Sequence, residues 1–84
     1  MANKIKKIEN AYERKQRQLF YELRLNGFNQ KEVAKQLGRS QSYISRCVTG
    51  AGDWTVGEAY TLLRLAGVSN EFFRDYFPSR KVGA

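Results

Sequence analysis

The chain has 84 residues, 42% of them hydrophobic and eleven aromatic, enough for one small domain that buries about 60% of its unfolded surface. A single cysteine excludes an internal disulfide, the absence of histidine removes the usual zinc spacings, and no apolar run approaches a membrane span. Net charge is +7, and all of it falls in residues 1–48, with eleven Lys or Arg against four Glu; residues 49–84 hold four of each sign.

A first helix is expected to end near Asn26 and Gly27. Its stripe Ile5, Ile8, Tyr12, Leu19 and Leu23 steps by three, four, seven and four residues, which keeps one helical face. Two starts fit: Asn3 capping a long helix, or Asn10 with Glu13 three positions later capping a shorter one. The second is favoured. Residues 1–9 are then a basic arm or partial helical extension in which Lys4, Lys6 and Lys7 can reach phosphate.

Asn29, followed by Glu32, caps a second helix running to Leu37, and Phe28 stands just before that cap to pack on the core. Gly38 permits the backbone conformation that stops the helix and turns the chain. Ser40 caps a third helix over residues 41–48. After the loop TGAGD, Thr55 and Glu58 make a capping box for a fourth helix through Ala66, with Ala59, Leu62, Leu63 and Ala66 on its core face. Trp54, just before that box, staples the loop to the core, with a phosphate contact through its indole N–H as the alternative. Gly67 closes the helix, and Ser69 opens a short fifth one over residues 70–77. Its Phe72, Phe73, Tyr76 and Phe77 seal the bottom of the core, with part of the set available for a dimer contact. Pro78 ends the helical region, 78–84 is a tail, and no run alternates long enough to predict a strand.

The functional information concentrates in residues 30–49, QKEVAKQLGRSQSYISRCVT. Val33, Ala34, Leu37, Ile44 and Cys47 fall where two short helices would touch, and Ala34 must be small so that Ile44 can rest on it. Ser40, Gln41, Ser42, Ser45 and Arg46 are left on the outer face of the second of these helices. A short helix held by its back, with hydrogen-bonding side chains in front, suits entry into a DNA major groove.

The stretch GFNQKEVAKQLGRSQSYISRCVTGAGDWTVGEAYTLLRLAGVSNEFF resembles the phage repressor and Cro-type helix-turn-helix family, the XRE class, over about residues 19–77. The resemblance implies an all-α, compact five-helix, lambda-repressor-like domain over residues 10–77 that binds DNA. It is similar to short regulators of phages and other mobile elements. It implies that Gln30 contacts phosphate and braces the recognition helix, that Gln41 and Ser42 point at base edges, and that Ser45 and Arg46 form the next turn. It also implies backbone contacts from Tyr43 and Thr49. Two positions depart from the family. Arg39 replaces an apolar turn residue, so an exposed turn with an added phosphate contact is expected. Cys47 replaces a bulkier aliphatic, so looser packing is expected there.

The residue types agree with that reading. Glutamine bonds adenine in bidentate fashion and arginine bonds guanine likewise, which suits Gln41 and Arg46; Arg46 clamping a phosphate is an equal alternative. Ser42 and Ser45 are small and often touch only backbone or water. Lys31, Lys35 and Arg39 suit phosphate contacts, with plain solvated charges as the bland reading. The basic half of the chain likewise reads either as a phosphate-binding face or as a solvated or lipid-facing one. Catalysis is not expected, because the serines have no base to activate them and no glycine-rich phosphate loop is present. No cofactor or metal is expected either. The leading expectation is a cytoplasmic, sequence-specific regulator that binds double-stranded operator DNA as a homodimer, with no membrane role. The alternatives are a protein-interaction module, such as an antitoxin or antirepressor adaptor using residues 72–77, and an accessory DNA-bending protein.

Overall fold

A computed structural model describes residues 10–78 and the backbone of residues 82–83. The basic arm, with Ile5, Ile8 and its lysines, lies outside the described residues. Four of the helices start on a side-chain cap, as local sequence dictates. Asn10 accepts from the Glu13 amide and opens α1 (Ala11–Leu25); Asn29 accepts from the Glu32 amide and opens α2 (Gln30–Leu37). Ser40 accepts from the Tyr43 amide at the head of α3 (Gln41–Thr49), and Thr55 with Glu58 forms the reciprocal box of α4 (Val56–Ala66).

Three of these helices end the same way. At the ends of α1, α2 and α4 the glycine N–H and the following N–H fold back onto the last turn, as in Gly38 to Lys35 O and Arg39 to Ala34 O. Gly38 and Gly67 take the left-handed conformation, φ 67° and 73°, that this reversal needs. After α1 and α4 the next residue is apolar, and Phe28 and Val68 pack on the core. After α2 it is Arg39.

Among the described residues the fold is all-α with five helices. α1 is the central element and packs on α3, α4 and α5 (Phe73–Tyr76). Leu19 and Leu23 from α1, Val33 and Ala34 from α2, and Ile44, Cys47 and Val48 from α3 share one core with Trp54, Ala59, Leu62, Leu63, Ala66, Phe73 and Phe77. Burial of side chains of this kind contributes about 1.5–3 kcal/mol each, so the small domain depends on nearly every member of the set.

Three features depart from expectation. The fifth helix is split into a 3₁₀ turn (Asn70–Phe72) and α5, because the Ser69 hydroxyl accepts from Glu71 N, two residues on, and tightens the first turn. Phe73 and Phe77 are thereby turned inward while Phe72 stays exposed. A two-residue parallel pairing joins β1 (Trp54–Thr55) to β2 (Val82–Gly83), so the segment after Pro78 is not only a tail. Finally, the gap of seven in the first stripe is filled by Gln16, which is fully buried. Its Oε1 accepts from the Trp54 indole at 2.9 Å and its Nε2 donates to the Tyr76 carbonyl at 2.7 Å. No helix among the described residues is long and apolar enough to cross a membrane.

Candidate nucleic-acid interface

The back of α3 is locked into the core. Ile44 and Cys47 are fully buried and Val48 nearly so, and the Tyr12 hydroxyl donates to the Cys47 carbonyl at 2.8 Å, tying the helix to α1. Burial pushes the Cys47 thiol above its ordinary value, so the sulfur stays protonated. The front of α3 is the opposite: Gln41, Ser42, Ser45 and Arg46 are all exposed. Residues three and four apart on a helix share a face, which is why these four stand together.

With Gln30, from the first turn of α2, they line a shallow concavity of about 470 Å³. None of these five side chains has a hydrogen-bond partner among the described residues. Their donors and acceptors are available to a ligand. Lys31 and Lys35 are exposed on α2, outside the concavity.

The remaining residues expected to touch DNA backbone are placed differently. Thr49 donates its hydroxyl to the Arg46 carbonyl at 3.2 Å, a bond within its own helix. Tyr43 is half-buried, edge-on to Trp54, and its hydroxyl donates to Glu58 Oε1 at 2.6 Å. Burial and that carboxylate both raise its pKa, so the phenol keeps its proton. Arg39 is exposed on its turn, as expected, but its guanidinium is engaged: it donates through Nε to Glu58 Oε2 at 2.7 Å and lies 4.3 Å from the Tyr43 ring centroid. Burial alone would raise the Glu58 carboxyl. The Thr55 amide, the Tyr43 hydroxyl and the Arg39 guanidinium outweigh it and hold the group below the ordinary range.

Glu58 and Gln16 are the residues that sequence reasoning missed as hubs. Glu58 was legible only as a cap. Gln16 could have been found from its place on the apolar stripe between Tyr12 and Leu19. Trp54 is fully buried against Gln16 and Phe20, which leaves its indole N–H no part in a ligand site.

A second hollow, about 550 Å³, lies between α1 and α5. Its lining mixes Arg14 and Arg17 with Glu22, Tyr21 and Tyr76, which gives it no single charge sign to select a ligand.

Compared with protein-family models, with curated proteins and with solved structures, the chain gives no match in any of the three.

Proposed function

We propose that this protein is a cytoplasmic, sequence-specific DNA-binding regulator of transcription, of the phage or mobile-element repressor type, without catalytic activity. The observation that carries the reading is the concavity on α3. Four polar side chains without partners among the described residues stand on the open face of a helix whose other face is packed into the core, and Gln30 of α2 joins them. Gln41 and Arg46 are of the types that read adenine and guanine edges in the major groove. The charge asymmetry supports the same reading, since the whole excess of +7 lies in the half of the chain that holds α2 and α3.

One such helix spans too few base pairs for useful specificity, so the operator is bound by two copies. Repression follows from occupying a promoter and needs no chemistry from the protein. Selection from a random duplex library tests the reading. A recovered two-fold symmetric motif, lost with Gln41→Ala, is the expected result. Recovery of no motif by the folded protein would contradict it.

A further inference from the structure

Arg39 occupies the place after Gly38 where α1 and α4 put an apolar residue, Phe28 or Val68, against the core. Its side chain runs to another helix instead. The Nε edge is spent on Glu58, the guanidinium carbon lies over the Tyr43 ring, and the side chain remains 41% exposed. The two terminal nitrogens have no hydrogen-bond partner among the described residues. Glu58 is itself fixed. Its side chain is only 10% exposed, and its Oε1 accepts from the Thr55 amide at 3.0 Å as well as from Tyr43.

A free arginine must surrender rotamer freedom when its fork closes on a phosphate. Held at Nε by a carboxylate and lying over a ring, Arg39 has surrendered part of it before any ligand arrives. The remaining nitrogen pair keeps the planar geometry that matches a phosphate in bidentate fashion. Arg39 also sits two residues before Gln41, at the entrance to α3. Resting on the DNA-binding reading above, we propose that Glu58 is a positioning residue that holds Arg39, against Tyr43, as a preordered clamp on a DNA backbone phosphate beside the N-terminal end of α3.

A brace with no role in binding behaves in the opposite sense. Neutralising a carboxylate near DNA raises the net charge and should leave affinity unchanged or tighten it. Under the proposal it weakens binding, because Arg39 is released.

The test is an anisotropy titration of a labelled random-sequence duplex at several salt concentrations, with thermal melts of every variant. Arg39→Gln should weaken binding roughly three- to tenfold, the size of one hydrogen-bonded contact, and lower the salt slope of log K by about one. Arg39→Lys keeps the charge but loses the fork, and should weaken binding as well. Glu58→Gln should weaken it although a negative charge is removed, and the double variant should be no weaker than Arg39→Gln alone. Wild-type or tighter binding by folded Glu58→Gln, or additive losses, would overturn the clamp. If Glu58→Gln does not fold, Arg39→Lys decides alone, since it leaves the α4 cap intact; wild-type affinity there overturns the clamp. Wild-type protein that fails to bind duplex at low salt would sink the DNA reading and the clamp together.

Discussion

At Gln16 a neutral amide is fully buried and both of its ends are used, one by the Trp54 indole and one by the Tyr76 carbonyl. A buried polar group costs free energy unless it is bonded, and here three elements meet to satisfy it. Gln16→Leu keeps the volume and apolar contacts but leaves the Trp54 N–H and the Tyr76 carbonyl without this partner. We expect a loss of about 1–3 kcal/mol in unfolding free energy, measured by urea denaturation followed through the tryptophan fluorescence. A variant as stable as wild type would mean that neither group depends on the amide. Asn26 plays a smaller version of the same part at the other end of α1, where its Nδ2 donates to the Leu65 carbonyl at 3.1 Å.

On the scale of whole elements, Glu58 ties α4 to α3 and to the turn before it. The same carboxylate caps its own helix and receives Tyr43 from α3 and Arg39 from the turn. Because the fold keeps its pKa below the ordinary 4.5, the unfolded chain takes up that proton first on acidification. The stabilisation is therefore complete above about pH 4.5 and is lost as pH falls below it through the folded value. Denaturant midpoints from neutral pH down to pH 3 should decline less steeply in Glu58→Gln than in wild type. Parallel declines would show that other carboxylates govern acid unfolding.

What the sequence made legible divides along this line. Caps at Asn10, Asn29, Ser40 and Thr55 and the stops at Gly38 and Gly67 depend on residues three or four positions apart, so they were readable. The exposed set on α3 followed from helical spacing for the same reason. The Glu58 contacts to Tyr43 and Arg39 span fifteen and nineteen residues, and nothing local announces them. A two-residue strand such as β1 is too short to alternate visibly. The split in the last helix turns on a Ser69 bond one residue shorter than the cap expected there.

Across the whole molecule, charge and shape are arranged in one sense. The neutral half of the chain supplies α4, α5 and much of the core, while the basic half carries α2 and α3. If this arrangement serves DNA, two kinds of side chain should fail in different ways. Gln41 stands in the concavity where it can reach a base edge, whereas Lys31 lies outside it on α2. The most direct measurement is a titration of Gln41→Ala and Lys31→Ala against a selected operator and a random duplex over a range of salt. Gln41→Ala should cost about 1–3 kcal/mol at the operator and leave random DNA nearly unchanged. Lys31→Ala should weaken both alike and reduce the salt slope by about one. If Gln41→Ala weakens random DNA as much as operator, α3 is not the reading helix and the central claim fails.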